Sequence, residues 1–376
     1  MEKTGIYIHF PFCLRKCNYC DFLSFPAEGE ERERYVTCLV REIRRVGQHF
    51  PKRRTADTVF FGGGTPSLLT PPQMERIFEA LHETFSIEDS AEITMECNPG
   101  TADKEKICGF HKMGGNRISV GVQSAVDSEL ECLGRIHRFE EAKNTVRTAR
   151  EAGFQNINID LMSAIPGQTL ESYEDTLEQI LDLKPEHISA YSLIIEEGTP
   201  FYKKYKDNPP VDEETDRLMY AVTKERLADG GYERYEISNY AKKGYECRHN
   251  LKYWSGEDYI GFGLGASSKI GNVRYQNERS MEVYIRNIEQ KKPVSYVEEV
   301  LEREDEMAEF FILGLRRTRG ISLEQFEDRF GVSAEAIYGK QIETFIRDGL
   351  LAKKQSQLFF TDYGLDVSNV VLCEFL

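Results

Sequence analysis

Gly5-Ile6-Tyr7-Ile8-His9 runs without a break into Phe10-Pro11-Phe12-Cys13-Leu14-Arg15-Lys16-Cys17-Asn18-Tyr19-Cys20. The first five residues read as a β-strand, and the loop that leaves it carries three cysteines. Working outward, β-rich runs recur at Asp57 to Phe61, Ala91 to Glu96, Arg117 to Val122, Asn156 to Met162 and His187 to Leu193. Helical stretches separate them: an amphipathic run from Glu31 to Phe50, a Thr70-Pro71-Pro72 start before Gln73 to Phe85, and Phe139 to Ala152 stopped by Gly153. Strand-helix alternation of this kind predicts a parallel sheet, which right-handed crossovers curl into a complete or partial barrel. The fold class expected is therefore α/β, a partial (β/α)6 TIM-type barrel. An open doubly wound sheet would need nearly the same pattern, so the curvature itself is not written in the periodicity.

Chemistry in such barrels lies at the C-terminal ends of the strands. After the second run come Gly62-Gly63-Gly64-Thr65-Pro66, three glycines where the backbone must approach something closely. The third ends in Glu96-Cys97-Asn98-Pro99, the fourth in Gly121-Val122-Gln123-Ser124, and the fifth contains Asp160 before Ile165-Pro166-Gly167-Gln168-Thr169. Each feature alone has a structural explanation, as a turn, a strand stop or a helix cap. Their recurrence at equivalent positions favours a shared site instead.

Composition narrows the class. The chain has 376 residues and is 40% hydrophobic, enough for one large α/β domain and a smaller one. Its net charge of -15 argues against broad electrostatic attraction to nucleic acid or anionic lipid, and the basic run from Arg41 to Arg54, mixed with acids and apolar residues, reads as a solvated helix face. No stretch approaches the roughly 18 consecutive apolar residues of a membrane span, and no secretory signal is recognisable. Nine cysteines, an odd number over a long chain, fit a reducing compartment better than a disulfide framework, so a cytoplasmic location is expected.

The Cys-x3-Cys-x2-Cys spacing admits two metal readings. Three thiolates with His9 as a fourth ligand could hold zinc; three thiolates alone could hold three irons of a cubane and leave one iron open. A closed zinc site would not explain the triple-glycine loop and the acidic residues facing the same opening. These motifs together resemble the radical S-adenosylmethionine (SAM) superfamily, in which a [4Fe-4S] cluster on Cys13, Cys17 and Cys20 would chelate SAM through its open iron.

The resemblance can be narrowed. Tyr7-Ile8-His9-Phe10-Pro11-Phe12-Cys13, Phe60-Phe61-Gly62-Gly63-Gly64-Thr65-Pro66-Ser67, Gly121-Val122-Gln123-Ser124 and Ile159-Asp160-Leu161-Met162 are similar to the oxygen-independent coproporphyrinogen III oxidase group, over nearly the whole chain. This implies that Tyr7, Gly63, Gly64, Thr65, Glu96, Gln123, Arg135 and Asp160 line a SAM pocket, with Tyr19 and Ile194 beside them. It also implies chemistry in which the reduced cluster cleaves SAM to a 5′-deoxyadenosyl radical. Two departures separate the chain from the oxidases. Phe22 stands where they carry a fourth cysteine, and the N-terminal extension that helps form their substrate site is not expected here. Arg248-His249-Asn250-Leu251-Lys252-Tyr253-Trp254 instead resembles the His-Asn-x-x-Tyr-Trp signature of the heme chaperone family HemW. On that resemblance His249 contacts heme; on the residues alone, a histidine beside the only tryptophan reads more readily as a packed core residue.

Gly261-Phe262-Gly263-Leu264-Gly265-Ala266 lacks a clear preceding strand and reads as a loop packed close to the barrel. The expected domains are 1–235, the barrel; 236–294, a connecting region carrying the heme motif; and 295–376, a mostly helical, winged-helix-like domain entered where Lys291-Lys292-Pro293 interrupts a helix. In that last part, Glu302 to Thr318, Ser322 to Phe330 and Ser333 to Arg347 read as helices, and Gly349 to Tyr363 as a hairpin. Acids outnumber bases along Ser322 to Arg347, which favours a cover or protein-contact surface over DNA binding. The resulting expectation is a SAM-, [4Fe-4S]- and heme-binding protein that passes heme to an acceptor protein. The alternatives are a radical SAM enzyme acting on a porphyrin, and a structural zinc protein with a protein-binding tail.

Overall fold

The structure, a computed structural model, describes residues 3–48, 50 and 52–376. Strand β1 (Lys3–Phe10) leads into the cysteine loop, whose two ends are tied by a parallel bridge of β2 (Phe12–Cys13) to β3 (Phe25–Pro26). Five βα crossovers follow: α1 (Gly29–Gly47) to β4 (Thr55–Gly63), α2 (Pro71–Thr84) to β5 (Ser86–Cys97), α3 (Lys104–Lys112) to β6 (Arg117–Gln123), α4 (Asp127–Leu133) and α5 (Phe139–Ala152) to β7 (Ile157–Ser163), and α6 (Leu170–Asp182) to β8 (His187–Ser192). The sequence signals work as expected. Pro71 opens α2 while the Gln73 amide oxygen accepts from the Thr70 N–H at 3.0 Å, and Gly153, at φ 106°, ends α5. All seven residues of β6 are buried, as a strand covered on both faces requires.

After β8 come α7 (Pro200–Tyr205), α8 (Glu213–Asp229), β9 (Glu233–Arg234), β10 (Asn239–Ala241), α9 (Arg248–Trp254), β11 (Tyr259–Phe262), β12 (Ser267–Ile270), β13 (Val273–Asn277), α10 (Met281–Glu289) and β14 (Ser295–Val300). The sheet order is β14-β13-β12-β11-β1-β4-β5-β6-β7-β8-β10-β9. Strands β1, β4, β5, β6, β7 and β8 are parallel in sequence order, and the sheet ends in two edges without closing. This is the α/β partial barrel expected from the alternation.

Several expectations shift. Gly261 lies within β11, which pairs parallel with β1 (Tyr7 opposite Gly261), so part of the supposed loop is a strand. It escaped notice because it is four residues long and glycine-containing; a Cβ on Gly261 would stand 2.3 Å from the Ser267 carbonyl oxygen. The Glu31 to Phe50 helix is α1, ending at Gly47, and position 49 lies outside the described residues. Strand β14, just past the expected division at Lys291 to Ser295, hydrogen-bonds to β13 and so is an edge of the large sheet.

The C-terminal part contains α11 (Arg303–Gly314), β15 (Ile321–Ser322), α12 (Leu323–Phe330), α13 (Ala334–Arg347), β16 (Leu351–Lys354) and β17 (Gln357–Phe360). Ser322 and Ser333 act as N-caps of α12 and α13, and α11 stops at Gly314, short of the expected Thr318. Its core, around Phe311, Phe326, Leu358 and Phe375, is separate from the barrel core.

Candidate functional site

The C-terminal ends of the parallel strands surround a pocket of about 130 Å³ lined by Cys13, Cys17, Tyr19, Cys20, Gly63, Gly64, Thr65, Glu96, Gln123, Arg135 and Asp160. The backbone builds this rim. Gly63 adopts φ 110°, and a Cβ on Gly64 would lie 2.7 Å from the Phe12 carbonyl oxygen, so the glycine loop presses against the cysteine loop as only glycine allows. The cysteine loop is held from below, where the Asn18 N–H donates to the Leu133 carbonyl and its side-chain amide to the Cys132 carbonyl, both at 2.9 Å. Gln123 carries a positive φ of 73° beside a register shift in β6, local strain of the kind found where side chains are aimed at a ligand.

Donors point at the sulfurs. Thr65 Oγ1 donates to Cys13 Sγ at 3.4 Å and Arg135 Nη1 to Cys17 Sγ at 3.7 Å. Arg135 is fixed by two further bonds, to Asn98 Oδ1 at 2.8 Å and the Gly121 carbonyl at 2.6 Å, and Asn98 in turn donates to Thr65 Oγ1 at 2.8 Å. The carboxyls across the pocket are less well served. Glu96 accepts from the Gly63 N–H at 3.1 Å; burial, reinforced by the neighbouring Asp160, pushes it up to about 8. Burial also raises Asp160, against hydrogen bonds from Asn158 and Ser189. Neither forms an ion pair among the described residues. A ligand bringing an ammonium or hydroxyl groups would relieve both, so the rim fits SAM chemically.

The zinc alternative fits poorly. Among the described residues, no group of three or more His, Cys, Asp and Glu side chains is arranged to hold a single metal ion. His9, its fourth ligand, is engaged with the Leu23 carbonyl at 3.0 Å and Tyr7 Oη at 3.1 Å. A cubane, by contrast, spreads its thiolates over three separate irons.

Two residues expected in the SAM pocket do not line it, and the expected heme contact, His249, lies elsewhere. Tyr7 lies deeper, buried against Phe60, and Ile194 is 68% exposed beyond β8. His249 sits at the opposite end of the barrel, on α9, which plugs its floor. Its Nδ1 is 2.8 Å from Thr58 Oγ1, its Nε2 is 2.9 Å from Tyr253 Oη, and its ring stacks on Phe60. Burial pushes the imidazole down to about 3, so it is neutral. Glu92 secures the helix start, accepting from the Arg248 and His249 N–H groups at 3.0 Å each. Sequence reasoning noted Asn98 and Gly121 at strand ends without assigning them to the pocket, and it missed Ser119. The signal was there: Ser119, Gly121 and Gln123 alternate along β6 and so face one side, and Asn98 follows the strand end directly.

Residues 7–180 match the Radical SAM superfamily and residues 301–367 the HemN C-terminal domain. The chain is similar to the heme chaperone HemW of Lactococcus lactis, 37% identical, covering 100% of this chain and 98% of the relative. The heme chaperone HemW of Escherichia coli is 35% identical, covering 100% and 99%. Among solved structures, the radical SAM enzyme coproporphyrinogen III oxidase (HemN) of Escherichia coli superposes with a TM-score of 0.89 at 23% identity, covering 100% of this chain and 90% of that one, which is a likeness of fold.

Proposed function

The chain belongs to the HemW family of radical SAM proteins, and from that membership we propose that it is a SAM- and [4Fe-4S]-binding heme chaperone that takes up heme and passes it to an acceptor protein. The observation that carries the cofactor assignment is the single pocket that gathers three cysteines, two glycines of one loop and two carboxyls raised by burial and without an ion pair among the described residues. Cys13, Cys17 and Cys20 would hold the cluster and leave one iron without a protein ligand. When bound, cluster and SAM together supply one-electron reductive chemistry.

The chain's own residues bind and orient. Gly63 and Gly64 offer backbone to the methionine moiety, and Glu96 and Asp160 accept hydrogen bonds from the ammonium and ribose hydroxyls. Arg135, anchored through Asn98, presents positive charge to the carboxylate. Tyr19, Thr65 and Gln123 complete the wall, while Tyr7 and Ile194, which the resemblance also implied, stay outside the lining and would reach SAM only through a shift of the rim. His249 is the proposed heme ligand. Because both its ring nitrogens are engaged, ligation requires α9 to move and Tyr253 to release Nε2.

A cytoplasmic location is supported by nine cysteines of which none is paired in a disulfide. No described helix is long and apolar enough to cross a membrane. Coproporphyrinogen III decarboxylation is not expected, since Phe22 replaces the fourth cysteine of the oxidases. Titrating the anaerobically reconstituted protein with hemin tests the reading. Saturable binding with a shifted Soret band, and no conversion of coproporphyrinogen III, is expected; failure to bind hemin, or multiple turnovers of coproporphyrinogen III, would overturn it.

A further inference from the structure

Between α9 and the C-terminal domain lies a cavity of about 400 Å³ lined by Trp254, Lys269, Arg317 and Arg329 among others. It shares Gly256, Glu257, Lys269, Glu306 and Arg329 with an adjoining cavity of about 630 Å³. Both volumes are in the small-molecule range of about 300–1,000 Å³. Every carboxylate nearby already has a cation: Glu306 pairs with Arg329 at 3.0 Å, Glu257 with Lys252 at 2.7 Å, Asp258 with Arg54 at 2.8 Å, and Glu309 with Arg274.

Two cations are left over. Lys269, only 3% exposed, donates to the Gly256 and Gly271 carbonyls at 3.0 Å. Arg317 reaches Ser255 Oγ at 3.1 Å and the Gly314 and Gly320 carbonyls. Neither forms an ion pair with a carboxylate among the described residues. Burial lowers both below their ordinary values, Lys269 against the attraction of Glu309 and Asp258 and Arg317 against that of Glu257, so neither carboxylate field makes up for the lost water. In a chain with 63 acidic and 48 basic side chains, a buried lysine and a half-buried arginine held by carbonyls and a hydroxyl, with no direct ion pair among the described residues, leave room for an outside anion. Trp254, at the outer end of α9, adds an aromatic wall with the Arg316 guanidinium stacked over its ring at 5.4 Å, and its buried indole N–H has no acceptor among the described residues.

We propose that this cleft seats the porphyrin carboxylates of heme, with Lys269 and Arg317 pairing the two propionates and Trp254 lying beside the macrocycle. The inference rests on the heme-chaperone reading and specifies where on the chain the cargo first docks. It separates the docking site from His249, which lies inward on the same helix, so that seating at Trp254 can precede any movement of α9.

Hemin and hemin dimethyl ester, whose propionates are blocked, distinguish the possibilities when titrated under identical detergent conditions into wild type, Lys269→Met, Lys269→Arg and Arg317→Lys. Wild type should prefer hemin by about 10- to 100-fold, the range expected for charge-assisted hydrogen bonds. Lys269→Met should reduce that preference several-fold without weakening ester binding, while Lys269→Arg retains most of it; thermal scans and cluster content confirm that each variant folds. Equal affinity of wild type for the acid and the ester, or an unchanged preference in both Lys269→Met and Arg317→Lys, overturns the seat while leaving the chaperone reading standing. No binding of either compound to wild type overturns both.

Discussion

The two ends of the barrel are built from similar residues and treat them in opposite ways. At the rim, Glu96 and Asp160 are buried carboxyls with raised pKa values and no ion pair, and Gln123 is held at positive φ. At the floor, Glu92 accepts from two backbone N–H groups, and His249 and His187 have partners on both ring nitrogens. Carboxyls whose charge burial disfavours cost stability and persist where a ligand completes them; groups closed in by protein partners hold the fold together. Charge and burial alone do not separate the two cases. What does is that Glu96 and Asp160 border an open pocket without a cationic partner, whereas Glu92 and the two histidines are closed in by protein partners.

The contrast predicts what each end loses on substitution. The largest effect is expected at the cysteines: replacing Cys13, Cys17 or Cys20 by Ala should abolish cluster assembly, measured as iron and sulfide per chain, whereas Cys38→Ala and Cys373→Ala should keep it. At the floor, His249→Ala strands the Thr58 and Tyr253 hydroxyls and empties the space against Phe60. A loss of about 3 kcal/mol in unfolding free energy is expected, and a variant as stable as wild type would show that the floor is not structural. The heme titration of the same variant reads its second role independently.

Rim variants should behave in reverse. Glu96→Gln removes a carboxyl that burial already disfavours, so stability should hold or rise while SAM affinity falls by about 10- to 100-fold. Equilibrium binding and a thermal scan on one preparation decide this. The smallest effect concerns pH. Burial holds His187 well below its ordinary 6.5, so below that pH the unfolded chain binds a proton that the native state does not. Stability therefore falls as pH drops, by about 1.4 kcal/mol per unit from this one group. In His187→Gln the stability-versus-pH curve below about 6.5 should be shallower by that amount; an unchanged slope would mean that His187 is protonated in the folded state.

Much of the rim was legible because its residues follow strand ends and carry local signatures: glycines where backbone approaches backbone, cysteines at short spacing, alternation along β6. Arg135 was not fixed by spacing, and only the bonds through Asn98 and Gly121 show how it is anchored. The floor was half legible. Tyr253, four residues after His249, shares its helix face, but Thr58 lies 191 residues away and no local pattern announces it. The cleft at Trp254 was not legible at all, since Lys269, Arg317 and Arg329 come from three elements whose meeting depends on how the C-terminal domain docks. Strand β11 was lost to its brevity and its glycine.

Anaerobic reconstitution of the whole chain, followed by metal and sulfide analysis and electron paramagnetic resonance of the reduced protein with and without SAM, tests the central claim that the rim is a ligand site completed by a cluster. About four irons and four sulfides per chain are expected, with a reduced-cluster signal that changes on adding SAM and does so less in Glu96→Gln. Stoichiometric zinc without sulfide, or a cluster signal indifferent to SAM, would contradict it.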